Sequence, residues 1–422
     1  MSALAKFLCG KGVRVAGSDT VRSAYTEELS AMGVKIATGE NKDSIQNYEV
    51  IVYTDAIGEN DAQLAEAVKC GKEIISRGRL LAEVCKDFKK VIAISGCHGK
   101  TTAVSMAAHI FSASNLHFCA HIGGRDRTFS NFYYCGNDYF LTEACEYKKN
   151  FLLLKPDIAV VLNSEPDHLE CYGSVENLKN AYTRFAYSAE TAVILYGDIG
   201  VDGITFGFDK NAAYSAVKIS ENCGLFRFAV CEYDKILGEI SLKVYGRHNI
   251  LNALAAVAVA RSAGIDFESI KKGLESFAGV ERRFENLGRF KGAQIIADYA
   301  HHPEEIAATL KAVNKICKGR LFVVFQPHTY SRTRNFFKEF IKVLSPLKKL
   351  LVYRTFAARE YFDDAGSALT LSQRLKNSQY GETAANIVDF INGAGRGDCV
   401  LILGAGDIYD IAKDVLSDIG QN

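Results

Sequence analysis

One short segment fixes a strand–loop–helix order in this chain. Residues 91–102 read Val-Ile-Ala-Ile-Ser-Gly-Cys-His-Gly-Lys-Thr-Thr, with an apolar strand before the glycines and a helical pattern after them. Glycines let backbone N–H groups surround phosphate oxygens, and the start of the next helix adds partial positive charge. Lys100 can contact the terminal phosphates, and the Thr101 hydroxyl can bind Mg²⁺. The segment therefore predicts a nucleotide site in an α/β fold.

The spacing of this loop is unusual. The common form has a longer gap between its glycines, whereas here Gly96 and Gly99 are separated by only two residues. We expect Cys97, His98 and Thr102 to line the nucleotide site with them. Because a helix start stabilises a thiolate, we also expect Cys97 to be exposed, sensitive to thiol reagents and protected by ATP.

Bulk properties exclude several classes of protein. A chain of 422 residues is too long for one ordinary core, so we expect two or three domains. A net charge of +1 gives no electrostatic reason to bind nucleic acid, and no apolar run reaches the roughly 18 residues of a membrane span. The twelve cysteines contain no close C-x-x-C pair, which is typical of free thiols in a reducing compartment. We therefore predict a cytoplasmic protein without membrane insertion.

Three blocks differ in pattern, at about residues 1–88, 89–286 and 287–422, with a polar linker at 87–90. Strands alternating with helices predict parallel sheets with helices on their faces. In the first block we expect helices at 2–8, 24–32 and 61–70 and strands at 13–17, 50–53 and 74–75. In the second we expect strands at 139–142 and 158–162, helices at 175–185 and 249–262, and short strands across 191–244. In the third we expect strands at 294–297, 321–325, 349–353 and 399–403 and helices at 303–316 and 334–344.

Acidic residues and a histidine follow two of these strands. Glu143 ends the strand at 139–142, and ligands collect at the carboxyl ends of parallel strands, so Glu143 is a candidate Mg²⁺ ligand. Asp167 and His168 follow the strand at 158–162. Magnesium prefers oxygen ligands, so the residues alone leave His168 open between a structural role and a metal site.

The motifs, in their order, resemble those of the Mur ligase family of ATP-dependent amide-forming enzymes. They are Gly-Cys-His-Gly-Lys-Thr-Thr at 96–102, Glu-Ala-Cys-Glu at 143–146, Asp-His-Leu-Glu at 167–170, Gly-Arg-His-Asn-Ile-Leu-Asn at 246–252, Arg-Arg-Phe-Glu at 282–285, Asp-Tyr-Ala-His-His-Pro at 298–303, Gln-Pro-His-Thr-Tyr-Ser-Arg-Thr-Arg at 326–334 and Gly-Ala-Gly-Asp-Ile at 404–408. The resemblance implies a three-domain α/β architecture: a Rossmann-like UDP-sugar domain (1–88), a central P-loop ATPase domain (89–286) and a Rossmann-like amino-acid-binding domain (287–422).

The resemblance also implies roles for single residues. Lys100 is similar to a lysine on the ATP phosphates, and Asp298 to an acidic residue near the ribose. The implied Mg²⁺ ligands are Thr101, Glu143 and His168, and the implied adenine-side residues are His248, Asn249 and Asn252. An N-cap explains Asn249 equally well. Arg283 is similar to a junction arginine that reaches the nucleotide, and His301 and Arg332 to residues near the amino acid and the substrate carboxylate.

The last three motifs most resemble the branch that joins L-alanine to UDP-N-acetylmuramate through an acyl phosphate in peptidoglycan synthesis. Two alternatives stay open: a ligase that recycles a tripeptide onto the same UDP sugar, and a degenerate, non-catalytic nucleotide-binding paralogue. Thr329 stands where some relatives carry arginine. That branch begins with a strand and a glycine-rich turn before the equivalent of Met1, so we expect either a native start upstream or weak binding of the UDP sugar.

Overall fold

The structure is a computed structural model that describes residues 1–20, 22–39, 45–55, 57, 61–165, 169–197, 199–358 and 360–420. Asp167 and His168, two of the candidate residues, lie outside these ranges. The chain divides into two compact units: Met1–Ser220, Arg227–Lys243 and His248–Ala278 form the first, and Glu221–Phe226, Val244–Arg247 and Gly279–Asn422 form the second. All twelve cysteines are free thiols. Across the described ranges, none of the helices combines the length and the apolar character needed to cross a membrane.

The first block alternates helices and strands as predicted, but it does not form one sheet. Its elements are α1 (Ser2–Gly10), β1 (Ala16–Asp19), α2 (Ala24–Ala31), β2 (Lys35–Thr38), β3 (Val50–Tyr53), α3 (Ala62–Lys69), β4 (Glu73–Ser76) and α4 (Arg77–Cys85). β1 pairs with β2 and β3 with β4, both in parallel. Among the described residues no strand joins the two pairs, so the predicted parallel pairing occurs in two separate two-stranded sheets. The first strand also starts at Ala16, three residues later than predicted.

The central block is built on a ten-stranded sheet in the order β14-β13-β12-β11-β10-β9-β5-β8-β6-β7. Its elements are β5 (Lys90–Ser95), α5 (Lys100–Ala113), β6 (Phe118–Asp126), β7 (Ser130–Tyr134), β8 (Tyr139–Glu143), β9 (Ile158–Val161), α6 (Leu169–Tyr172), α7 (Val175–Tyr187), β10 (Ala192–Leu195), β11 (Ile204–Gly207), β12 (Tyr214–Asn222), β13 (Leu225–Glu232), β14 (Lys235–Tyr245), α8 (His248–Ser262) and α9 (Phe267–Ser276). β5 is parallel to both β8 and β9. The carboxyl ends of these three strands therefore meet at one sheet edge.

Apolar sequence explains why β5 takes this central place. Its residues Ile92, Ala93 and Ile94 are fully buried, as expected for a parallel strand covered on both faces. In the expected polar linker before it, Asp87, Lys89 and Lys90 are exposed, and Phe88 alone is packed. Phe88 is only 8% exposed, and its ring stacks on Phe140 with centroids 4.7 Å apart.

The second unit carries a six-stranded sheet in the order β15-β16-β20-β17-β18-β19. Its elements are β15 (Glu285–Phe290), β16 (Ala293–Asp298), α10 (Pro303–Ile316), β17 (Leu321–Phe325), α11 (Tyr330–Asn335), α12 (Phe337–Leu344), β18 (Leu350–Tyr353), α13 (Ala368–Gln373), β19 (Ser378–Gly381), α14 (Ala384–Ile391), β20 (Cys399–Leu403) and α15 (Ile408–Gly420). The predicted helix at 334–344 is wrong in one respect: it is two helices, because Phe336 has non-helical φ and ψ of −109° and 27°. The α/β class is confirmed.

Candidate active site

The glycine loop connects the buried end of β5 to the start of α5. Gly96 and Gly99 have φ of +141° and +86°, values that residues with a side chain rarely adopt. A Cβ atom on Gly99 would overlap the side chain of Asn252. At the base of the loop, the buried Ser95 hydroxyl has no hydrogen-bond partner among the described residues. A glycine-lined turn, an orphaned hydroxyl and a helix start fit a bound phosphate group.

Lys100 is held inside this loop. Its Nζ donates to the Gly96 carbonyl at 2.5 Å and lies 3.0 Å from both carboxylate oxygens of Glu146. The side chains of Lys100 and Glu146 are 15% and 2% exposed. Burial alone would lower the pKa of Lys100, but the Glu146 carboxylate raises this pKa above the ordinary value of a lysine. Lys100 is therefore a charged group at the centre of the loop. Its counter-ion is Glu146. The motif Glu-Ala-Cys-Glu at 143–146 contains this residue, but the sequence analysis did not single it out.

Asn163 fastens the loop to the end of β9. The His98 N–H donates to Asn163 Oδ1 at 3.1 Å, and Asn163 Nδ2 donates back to the His98 carbonyl at 3.0 Å. Thr101 and Thr102 follow in the half-buried first turn of α5. Asn163 was missed as a site residue, although its position just after a buried strand was a usable signal.

Cys97 is not exposed, which corrects the sequence prediction. Its side chain is 8% exposed. Its thiol donates to the Glu165 carbonyl at 2.7 Å and lies 3.5 Å from the Tyr182 hydroxyl. The thiol points away from solvent because it fills a gap between β5 and α7 residues.

Glu143 lies at the same sheet edge as the loop. β8 pairs with β5 so that Glu143 stands beside Ile94. Its Oε1 accepts a hydrogen bond from the Gly123 N–H at 2.6 Å. The oxygen atoms of Glu143 and Thr101 are donors of the kind that Mg²⁺ prefers. His168 falls outside the described ranges, and the described residues alone contain no cluster of three metal-binding side chains.

The start of α8 packs against the glycine loop. Asn249 and Asn252 are 7% and 6% exposed, and Asn252 Nδ2 donates to Asn249 Oδ1 at 2.9 Å. The helix already begins at His248, so Asn249 lies inside its first turn and is not the residue that precedes the helix. The structure thus brings Asn252 to Gly99, as a shared nucleotide site requires.

In the second unit, Arg283 and Asp298 lie close together. The Arg283 guanidinium sits over the Tyr299 ring, 5.0 Å from its centroid. Asp298 accepts hydrogen bonds from the backbone N–H groups of Phe284 and Ala300 at 2.7 and 2.8 Å. Burial raises the pKa of Asp298 to about 6, although Arg283 opposes this rise. Both carboxylate oxygens of Asp298 therefore already accept a hydrogen bond from a backbone N–H group.

His301 and Arg332 meet through a third residue, His328. Arg332 Nη1 donates to His328 Nδ1 at 3.0 Å, and the rings of His301 and His328 have centroids 5.6 Å apart. Burial, opposed by Glu305, lowers the pKa of His301 to about 4. Burial, with His301 and Arg332, lowers the pKa of His328 to about 3. Both histidines are neutral at pH 7, and His328 is a site residue that the sequence analysis did not single out.

The neutral form of His301 leaves one ring nitrogen available. His301 Nδ1 lies 2.9 Å from the Tyr299 carbonyl, which can only accept, so Nδ1 carries the proton and Nε2 is an acceptor. Thr329 caps α11 with a φ of +66°. A β-branched residue with positive φ is strained, and such strain concentrates at functional sites.

The predicted residues thus fall into two groups, one in each unit. Comparisons with known proteins match all three blocks of the chain. The family models "Mur ligase family, catalytic domain", "Mur ligase middle domain" and "Mur ligase, glutamate ligase domain" match residues 1–89, 94–260 and 282–406. A UDP-N-acetylmuramate–L-alanine ligase of Acetivibrio thermocellus is 37% identical over 99% of this chain and 93% of its own. One of Clostridium acetobutylicum is 38% identical over 99% and 95%.

Solved structures have the same fold. The UDP-N-acetylmuramate–alanine ligase of Thermotoga maritima matches with a TM-score of 0.86 at 25% identity, over 100% of this chain and 96% of that one. A murein peptide ligase of Psychrobacter arcticus matches with a TM-score of 0.77 at 21% identity, over 100% and 97%. At that identity the second likeness supports the fold alone.

Proposed function

The chain belongs to the Mur ligase family, and from this premise we propose that it is an ATP-dependent ligase that joins L-alanine to the carboxylate of UDP-N-acetylmuramate in peptidoglycan synthesis. The observation that carries the proposal is 37% identity along 99% of the chain to a ligase whose name gives both substrates. The proposal includes a cytoplasmic location, where ATP and nucleotide sugars are available.

The glycine loop is suited to the phosphates of ATP. The start of α5 and the Lys100 ammonium group bring positive charge to the loop before any ligand binds. ATP supplies the phosphoryl group that turns a poorly reactive carboxylate into an acyl phosphate. Lys100 would then stabilise the charge on the transferring phosphoryl oxygens.

Thr101 and Glu143 would hold Mg²⁺, with His168 as the further ligand that the family resemblance implies. The fit rests on the hydroxyl and carboxylate oxygens at the edge where β5 and β8 end. The ion would neutralise phosphate charge there.

The second unit offers groups for the carboxylate and the amine. Arg332 can hold a carboxylate through two parallel hydrogen bonds. His301 presents an unprotonated Nε2, because the Tyr299 carbonyl occupies its Nδ1 proton. With a pKa of about 4, His301 is a weak base, so its role would be to accept a hydrogen bond from the amine and orient it for attack.

The test is release of ADP by the purified protein. We expect release that requires both UDP-N-acetylmuramate and L-alanine, a product heavier than the sugar nucleotide by one alanine residue, and loss of activity when EDTA removes Mg²⁺. The Lys100→Met variant is the matched inactive control. ADP release with ATP alone, or a rate with the tripeptide that exceeds the rate with L-alanine, would contradict the proposal.

A further inference from the structure

Arg77 occupies a place that helix stability does not explain. It is the first residue of α4, whose first turn also holds Arg79 and no acidic residue. Positive side chains are unfavourable at this end of a helix, because the backbone N–H groups there already carry partial positive charge. The position of Arg77 therefore needs another reason.

Close packing fixes where Arg77 points. A Cβ atom on the next residue, Gly78, would overlap the side chain of Asn150. This contact presses the start of α4 against the segment Tyr147–Leu153, which follows β8. Arg77 is thereby directed at the sheet edge where Glu143 ends β8.

The partner of Arg77 is a neutral histidine. Arg77 Nη2 lies 3.2 Å from Nε2 of His121, and His121 Nδ1 lies 2.8 Å from the Thr142 hydroxyl. Burial, reinforced by Arg77, lowers the pKa of His121 well below its ordinary value. Since the guanidinium can only donate, His121 accepts at Nε2 and carries its proton on Nδ1. His121 therefore orients Arg77 without neutralising its charge.

The guanidinium of Arg77 has no ion-pair partner that would neutralise its charge. In the described ranges no carboxylate lies within ion-pair distance of its guanidinium. Through His121, Arg77 is tied to Thr142, the residue that directly precedes Glu143, and a half-buried arginine at this strand end is ready for an anion.

We propose that Arg77, oriented by His121, binds an oxyanion of the sugar-nucleotide substrate, either its carboxylate or its diphosphate. The inference rests on the proposed function, since it takes the sugar nucleotide as the substrate. It adds to the site a residue that the sequence motifs do not contain. Arg77 follows directly after β4, at a strand end, where ligands of parallel α/β folds collect.

The test compares Arg77→Gln with Arg79→Gln. Arg79 is a matched control because it is in the same helical turn, its side chain is 65% exposed, and it pairs with Glu83 at 3.6 Å. Binding of UDP-N-acetylmuramate is measured by calorimetry with Mg²⁺ and a non-hydrolysable ATP analogue. We expect Arg77→Gln to weaken this binding by about 10-fold or more, to leave the affinity for the ATP analogue unchanged, and Arg79→Gln to stay within about 2-fold of the wild type.

UDP-N-acetylglucosamine separates the two anions, because it has the diphosphate and lacks the carboxylate. Weaker binding of both sugars assigns Arg77 to the diphosphate, and weaker binding of UDP-N-acetylmuramate alone assigns it to the carboxylate. Arg77→Lys, which keeps the charge, should recover part of the affinity and serves as the test if the glutamine variant does not fold. Wild-type affinity in both Arg77 variants would overturn the inference while leaving the proposed function intact. A wild-type protein that neither binds the sugar nor turns it over would overturn the proposed function, and this inference with it.

Discussion

The ammonium nitrogen of Lys100 lies 3.0 Å from each carboxylate oxygen of Glu146, in a pair that is almost completely buried. The same nitrogen donates to the Gly96 carbonyl. The lysine that we propose to contact phosphate is thus kept in the loop, charged and oriented, by a carboxylate from the segment after β8. The pair links the nucleotide loop to the strand end that carries Glu143.

Removing one partner of this pair should destabilise the protein. We expect Glu146→Gln to lower the free energy of unfolding by about 3 kcal/mol, because it leaves a buried ammonium group without its counter-ion. The double variant Lys100→Met/Glu146→Gln should recover most of the loss. Chemical denaturation measures both effects, with the exposed Glu190→Gln as control. Equal stability of Glu146→Gln and Glu190→Gln would show that the pair contributes nothing.

Local pattern was enough to predict most elements of the fold. Apolar runs such as those of β9 and β20 are buried on both faces, and their strands were found within a residue of their actual bounds. The glycine loop, too, could be placed from its flanking strand and helix. Each of these features depends on neighbours in the sequence.

Features that depend on distant residues could not be predicted. Lys100 and Glu146 are 46 positions apart, and Arg77 and His121 are 44 apart. Their contacts exist only because β8 lies beside β5 and β6 lies beside β8 in the sheet. The burial of Cys97 has the same cause, since Tyr182 reaches it from α7 across 85 positions.

Thiol labelling should follow burial. We expect iodoacetamide to modify the exposed Cys135 and Cys223 about 10-fold or more faster than Cys97, because Cys97 lies against Tyr182 and donates to the Glu165 carbonyl. Mass spectrometry of digested protein after a time course gives the order. Labelling of Cys97 first, with protection by ATP, would restore the original expectation of a reactive loop thiol.

Acid should destabilise the second unit through its histidines. His301 and His328 bind a proton more weakly when folded, with pKa values of about 4 and 3, than when unfolded, where a histidine pKa is about 6.5. Folding stability should therefore fall as pH drops from 6.5 toward 4, by up to about 1.4 kcal/mol per pH unit for each histidine. Asp298 opposes this trend, because its pKa of about 6 lies above the unfolded value. Protonation of Asp298 therefore stabilises the folded protein as the pH falls over the same range.

The variant His301→Gln isolates one of these contributions. It should show a smaller decrease in melting temperature between pH 7 and pH 5 than the wild type. His117→Gln, whose side chain is 73% exposed, is the control and should decrease like the wild type. Calorimetric scans at both pH values give the comparison, and an identical decrease in all three proteins would be inconsistent with a neutral, buried His301.

Substitutions of the adjacent residues Arg282 and Arg283 should have different effects, one on stability and the other on activity. Arg282 is tied into the second unit: it pairs with Asp410 at 2.7 Å and sits 4.6 Å from the centroid of the Tyr409 ring. Arg283 has no carboxylate within ion-pair distance among the residues the structure describes, and only the Tyr299 ring beneath it.

We expect Arg283→Ala to lower kcat by about 100-fold or more, because the family resemblance implies that Arg283 reaches the nucleotide, where a guanidinium would stabilise transferring phosphoryl charge, and to leave the melting temperature nearly unchanged. Arg282→Ala should do the reverse, lowering the melting temperature with a smaller effect on kcat. Steady-state rates of ADP release and thermal scans on both variants measure the two effects. If Arg283→Ala keeps the wild-type kcat, Arg283 does not act on the nucleotide, and its place over Tyr299 is only structural.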